Sequence, residues 1–182
     1  NIEEFTKIKN DTTTQYLENT LDGQTDNDIA LLTYHLFRGR YACIAIKKNI
    51  WYEFKNHRWM ETDSGTELKR KLSTVISKLY MRENMKVLNK IRNTEDMAQD
   101  EQERLTKIGN IYNGISIKVR NNTPKTKIMN ECAEVFYQKR FENLLDVNPY
   151  LICFKNGVFD FEKKEFRSGV PEDYISKCTH ID

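Results

Sequence analysis

A chain of 182 residues is long enough for one domain with a proper core, or for two small lobes. Apolar residues make up 38% and charged residues 31%, which describes an extensively solvated surface, while nine Tyr and nine Phe exclude the aromatic-poor composition of disorder. The formal net charge of +2 selects neither a nucleic-acid nor a membrane partner, and no apolar run reaches the roughly eighteen residues of a membrane span.

That small net charge hides local asymmetry. Residues 1–28 carry seven acids against Lys7 and Lys9, and residues 115–140 carry six bases against Glu131 and Glu134. The four cysteines, Cys43, Cys132, Cys153 and Cys178, show neither a CxxC pair nor a regular spacing. They are expected to be buried, reduced thiols, in a reducing intracellular setting. The chain begins without Met, as a piece of a longer protein would.

Residues 1–25 are polar, acidic and Thr-rich, and are expected to form a linker or loosely docked arm ahead of a single domain over 26–182. Asp26 or Asn27 is placed to cap a helix with Ile29, Leu32 and Leu36 on one face and Gly39 just past its end. Tyr41–Lys47, Ile50–Phe54 and Arg58–Glu61 are rich in β-branched and aromatic residues, and short polar turns between them predict a three-stranded meander. Thr62 to Ser64 offer caps for a long helix with Leu68, Leu72, Val75, Ile76 and Leu79 on its apolar face.

After an acidic break at 93–100, Leu105, Ile108, Tyr112, Ile115 and Val119 define another helix, which Gly109 and Gly114 weaken. Thr123-Pro124 reads as a cap followed by proline at the first helical position, opening a helix that buries Ile128, Cys132, Val135 and Phe136. Leu151–Phe154 and Val158–Phe161 flank an Asn156-Gly157 turn, a hairpin signal because both residues tolerate positive φ. The predicted class is α+β: a small antiparallel sheet near the N-terminus, a helical middle, and β-hairpins near the C-terminus.

Several residues carry possible chemistry. Asp160 and Glu162, two apart, would share a face of a strand as the carboxylates of a two-metal polymerase site do. The competing expectation is that Asp160 fixes a hairpin and Glu162 opens a solvated turn with Lys163 and Lys164. No third carboxylate suits a metal site, so that expectation is preferred. Trp51 and Trp59 lie among Lys47, Lys48, Lys55 and Arg58, a mixture that single-strand binders use, but the tryptophans are expected in the core. Lys69-Arg70-Lys71 reads as a solvated helix face, whereas Lys118, Arg120, Lys125 and Lys127 cross a connection into a helix N-terminus that favours phosphate. His180 is too isolated from other ligands to argue for zinc with Cys178. No catalytic or metal-ligating set emerges. With its helices packed, the chain is expected to leave no long apolar face and to be monomeric or weakly associated alone.

Phe154 to Lys177, FKNGVFDFEKKEFRSGVPEDYISK, resembles the stretch just before the motor in the primase–helicases of large DNA viruses and of some phages and plasmids. Residues 27–73, NDIALLTYHLFRGRYACIAIKKNIWYEFKNHRWMETDSGTELKRKLS, look like the front half of the same pre-motor domain, where a helix precedes a W-Y-x-F…W sheet and a long helix. The resemblance implies a non-catalytic collar or linker between an N-terminal primase and a superfamily 3 AAA+ helicase motor, in a protein that forms a homo-hexamer on DNA. ATP and Mg would belong to the motor, beyond Asp182, and no cofactor to this stretch. It also implies DNA replication at a viral replication site inside the infected host cell, with the primase and motor domains as partners and no membrane. Contacts to phosphate would fall to Lys47, Lys48, Lys55 and Arg58, then Lys118, Arg120, Lys125 and Lys127. The alternatives are a primase-type catalytic domain using Asp160 and Glu162, and a structural adaptor without DNA contact.

Overall fold

The computed structural model describes the backbone of residues 2–179 and 181, and side chains from Thr12 onward within that range. His180 lies outside the described residues, as do the side chains of Glu3, Glu4 and Asp11. The chain is α+β and divides into two compact units, each built from two stretches of sequence. The first unit is Asn1–Leu36 with Leu68–Val135, and the second is Phe37–Glu67 with Phe136–Asp182.

The first unit is helical. Within residues 1–25, expected to form a linker or loosely docked arm, Ile2–Gly23 form helix α1. Thr13, Leu17 and Thr20 form its buried stripe at i, i+4 and i+7. Two of the three are threonines, which hid the periodicity. Thr20 donates its hydroxyl to the Leu17 carbonyl at 2.6 Å, so its polar atom is satisfied by the helix itself and its methyl packs. Thr33 does the same on α2 (Asp26–Phe37), donating to Ile29 O at 2.7 Å. The cap of α2 is Thr25 rather than Asp26 or Asn27. Asp28 N–H donates to Thr25 Oγ1 at 3.1 Å, while Asp28 Oδ2 accepts from the Thr25 N–H at 3.3 Å, a reciprocal box, and from the Thr25 hydroxyl at 2.6 Å. Gly39, at φ +81°, follows the helix as expected.

The long helix starts later than its expected caps. Ser64 and Gly65 both take positive φ in a tight turn, and helix begins at Thr66. It runs through α3 (Thr66–Lys71), a π-helical turn at Leu72–Ile76, and α4 (Ser77–Asn93). Leu68, Leu72, Ile76 and Tyr80 are buried along it. Ser73 in the π turn and Ser77 at the start of α4 meet the end of α5 (Gln99–Lys118), where they donate to Val119 O and Ser116 O at 3.3 and 3.1 Å. Helices α4 and α5 pair antiparallel, and Gly109 sits at their contact: a Cβ there would lie 3.0 Å from Asn84 Oδ1. That glycine weakens local helix preference yet permits the close approach. Helix α6 spans Asn122–Val135, so Thr123 and Pro124 lie inside its first turn, and it buries Ile128, Met129, Cys132 and Ala133. Its outlying expected positions differ: Val135 is half-buried, and Phe136 belongs to the second unit.

The second unit holds two three-stranded antiparallel sheets. Strands β1 (Tyr41–Ala45), β2 (Ile50–Lys55) and β3 (Arg58–Thr62) form the expected meander. Asn56 and His57 turn it with φ of 52° and 64°, the double positive φ that matches strand twist. Strands β4 (Leu151–Phe154), β5 (Gly157–Asp160) and β6 (Glu165–Arg167) form the second sheet. Its first hairpin is where the sequence placed it, for a different reason. Neither Asn156 nor Gly157 takes positive φ. Gly157 is required because a Cβ would meet Arg167 O at 2.7 Å and the Phe166 ring at 2.8 Å.

Both faces of the first sheet are covered. Tyr41, Cys43, Trp51 and Glu53 are buried on one, with Phe136 against Trp51 at 5.8 Å between ring centroids. Ala42 and Trp59 are buried on the other against Phe141, flanked by Tyr52, Phe54 and Tyr174. The buried Glu53 carboxylate accepts from the Arg40 guanidinium at 3.0 Å and the Tyr41 hydroxyl at 3.0 Å, which compensates for its removal from water.

Candidate nucleic-acid interface

The tryptophans of the first sheet are core residues, as expected, and offer no stacking surface to a single strand. Trp51 is 0% and Trp59 3% exposed, on opposite faces, and each indole N–H is satisfied, by Asn49 Oδ1 and Pro171 O respectively, both at 2.8 Å. The basic residues remain. Lys47 and Lys48 are exposed in the β1–β2 turn. Lys55 and Arg58 pair directly across the β2–β3 hairpin. These are two pairs at opposite ends of β2, about 17 Å apart at the usual strand rise. The sheet therefore does not gather the four bases into one patch. Beside Lys47 and Lys48 lies an open groove of about 640 Å³, whose apolar lining includes Ile44, Ile50 and Tyr137.

The second basic set, in the first unit, is unequal. Lys118 forms an ion pair with Asp26 at 2.8 Å and donates to Gln24 O at 2.9 Å. Lys125 donates to Ser73 Oγ at 3.0 Å. Arg120 donates to Ser116 O at 3.1 Å yet stays exposed, and Lys127 is exposed one turn into α6. Lys69, assigned from sequence to a solvated face, reaches this place too, donating to Thr126 Oγ1 at 3.0 Å. It comes from another helix 57 residues away, so no spacing rule could have found it.

Asp160 and Glu162 do not share a strand face. Strand β5 ends at Asp160, and Glu162 lies exposed in the turn that follows. Asp160 Oδ1 accepts from the backbone N–H groups of Glu162 and Lys163 at 3.0 and 3.1 Å, fixing the hairpin. Arg167 approaches its other oxygen at 3.8 Å. Among the described residues, no group of three or more His, Cys, Asp or Glu is placed to hold a metal ion.

The tail of the second unit is tied down by charge. Asp146 accepts from the Ser176 N–H at 2.7 Å, the Ser176 hydroxyl, and the Lys177 N–H. Burial pushes its carboxyl up, but these donors and the Lys177 ammonium together outweigh burial and hold it below the usual carboxylate value. Asp173 behaves alike: burial raises it, and the bidentate Arg167 guanidinium at 2.7 and 2.8 Å, with the Val170 N–H, brings it below the usual value.

A feature not anticipated from sequence is an apolar face left open on the second sheet. Ile152, Phe159 and Phe166 stand in register across β4, β5 and β6, with Phe154, Tyr150 and Phe161 beside them. In the first unit α4 likewise leaves Met81, Met85 and Leu88 exposed at helical spacing. The expectation of no leftover apolar face is therefore corrected. The strands are too short, and the rings too evenly mixed with charge, for that face to stand out in a sequence window.

Residues 30–182 match the family model described as D5 N terminal like. Among curated proteins, the chain is 40% identical over 152 residues to Putative helicase L207/L206 of Acanthamoeba polyphaga mimivirus, covering 84% of this chain and 16% of that one. It is 28% identical over 185 residues to Putative helicase 022R of Frog virus 3, covering 87% and 19%. It is 31% identical over 179 residues to Putative helicase 121R of Invertebrate iridescent virus 3, covering 86% and 18%. The chain spans less than a fifth of the length of these relatives. With the family model covering most of its length, the chain belongs to the D5 N terminal like family, the helicase-associated N-terminal domain that these viral proteins share.

Proposed function

We propose that this chain is a non-catalytic collar or linker domain of a viral DNA-replication primase–helicase, supporting hexamer assembly and guiding DNA. The observation that carries the reading is the family match over residues 30–182, in a chain under a fifth the length of relatives named as helicases. In this reading a superfamily 3 AAA+ motor elsewhere in the parent protein binds ATP and Mg, and a primase domain adjoins. The parent works as a homo-hexamer at replication sites in infected cells. DNA contact is made to phosphate, because a helicase must pass any sequence. Lys47, Lys48, Lys55, Arg58, Arg120 and Lys127 are the side chains best disposed for it.

The Asx-type turn at Asp160 supports this reading over a primase-type site, since the carboxylate is already engaged by its own hairpin. The deciding experiment measures binding of the chain to single- and double-stranded DNA of random sequence across salt concentrations. Affinity that falls log-linearly with salt, with a slope reduced by roughly one per base neutralised, is the expected result. Binding that is absent, or indifferent to neutralising these bases, leaves the adaptor reading in front. Sedimentation of the parent protein with and without this segment tests the assembly role. Unchanged hexamer formation without it would remove that role.

A further inference from the structure

The open face of the second sheet has no assigned role. Its inner side is filled by Cys153, Val158 and Ile175. The outer side carries six apolar residues, five of them rings. Tyr150 is 49%, Phe161 50% and Phe166 52% exposed, and Phe154 and Phe159 are half-buried. The rings are held in pairs: Phe154 with Phe166 at 6.1 Å, and Phe159 with Phe161 at 4.8 Å. Phe166 lies over Gly157, close enough that any side chain there would displace it, so its ring has a built seat.

We propose that this face is a stacking platform for single-stranded nucleic acid, with bases resting on Tyr150, Phe161 and Phe166. The inference rests on the nucleic-acid reading above and deepens it. Three features favour a strand of nucleic acid as the occupant. First, the exposed positions are mostly rings, and a ring offers the same partner to every base, as passage of any sequence requires. Second, charge brackets the face: Lys155 sits in the β4–β5 turn, and Lys163 and Lys164 in the β5–β6 turn, at opposite ends of β5. A strand laid along β5 meets ammonium groups at both ends. Third, the short sheet suits about two or three bases, the number that comparable aromatic sheet faces stack. Glu162 in the second turn and Glu165 at the start of β6 balance the two lysines there. Affinity at this face therefore comes from stacking more than from counterion release, and its salt dependence is shallow.

The test measures binding of the 182-residue chain to a labelled deoxythymidine oligonucleotide, an abasic strand of equal length, and a duplex. The chain is expected to prefer the oligonucleotide to the abasic strand by about 5- to 150-fold per stacked base. The double variant F161L/F166L keeps apolar bulk while removing two rings, and is expected to lose most of that preference without lowering its melting temperature. Y150L provides a second, separate removal. On the unaltered chain, photocrosslinking of a bromodeoxyuridine strand is expected to mark residues 150–166. Equal affinity of the wild type for both strands, full discrimination by the leucine variants, or crosslinks confined elsewhere would each overturn the platform, leaving the face to a protein partner. In those cases phosphate binding by the lysines of the proposed function stands. Failure of the wild type to bind any strand would sink both readings together.

Discussion

Trp59 donates its indole N–H to the carbonyl oxygen of Pro171 at 2.8 Å, across 112 residues of chain. Its backbone N–H goes to Ile175 O at 2.7 Å, and its ring meets Phe141 edge-on at 4.9 Å. Nearby, Gly169 N–H donates to His57 Nδ1 at 3.1 Å, and a Cβ on Gly169 would collide with His57 O at 2.6 Å. The β2–β3 hairpin and the tail of the second unit are thus fastened by a tryptophan and a glycine.

Replacing Trp59 with Phe keeps the apolar bulk but leaves Pro171 O without this donor. The expected loss is about 1–2 kcal/mol, with Trp59→Ala and Trp51→Ala costing about 3–5 kcal/mol each. Urea denaturation measures this directly. Either tryptophan proving neutral in the melt would contradict its core position.

Asp160→Ala is expected to lower stability by about 1–3 kcal/mol, because two backbone N–H groups of the turn lose their acceptor. Metal-dependent nucleotide incorporation by the chain is expected to be undetectable before and after the substitution. Incorporation that disappears with Asp160 would bring back the primase-type alternative.

Acid should loosen the second unit through Asp146 and Asp173. Both carboxyls are held below their unfolded value. Their contribution is therefore complete above the unfolded value, about pH 4, and is lost as pH falls through the lower folded values. Asp146→Asn is expected to cost about 1–3 kcal/mol at neutral pH and to flatten the stability profile below pH 4. Titrations of unfolding free energy for the wild type and the variant make the comparison; superimposable profiles would remove Asp146 from the explanation.

Lys118 and Lys127 should part company despite lying in one basic run. Lys118, paired with Asp26, is expected to affect folding on replacement with Ala by about 1 kcal/mol, the upper end for a half-exposed pair, and to leave the DNA salt slope alone. Lys127→Ala should leave the melt unchanged and reduce the slope by about one unit. A reversed pattern would show that the ion pair gives way to phosphate.

Alkylation should order the thiols. Cys43, Cys132 and Cys153 are buried, and burial raises each thiol pKa, that of Cys153 to about 11. Cys178 is only half-buried. Iodoacetamide at pH 8 is expected to label Cys178 first, read by peptide mass spectrometry. Equal labelling of all four in the folded chain would contradict the packing.

The sequence by itself determined the elements whose signals are local. The β-meander follows from alternating β-branched and aromatic residues around Asn56-His57, and the long helix from Leu68, Leu72, Ile76 and Leu79, because side-chain periodicity is a property of neighbouring residues. It also favoured a core place for Trp51 and Trp59 over a stacking one, and the structure buries both. Helix α1 is not legible in sequence because Thr13 and Thr20 count as polar until the Thr20 hydroxyl is satisfied by Leu17 O within the helix and the Thr13 hydroxyl meets His35 Nε2. Tertiary structure alone decided matters that depend on distant chain. Gly157 is needed for the ring of Phe166 and not for its own φ, and Lys69 meets Thr126 from another helix. Lys118 is spent on Asp26, 92 residues earlier, and no charge count over residues 115–140 reveals that. Whether a ring faces water is likewise set by what covers the sheet. Phe136 and Phe141 cover the first sheet and bury its tryptophans. The outer face of the second sheet keeps Tyr150, Phe161 and Phe166 half-exposed.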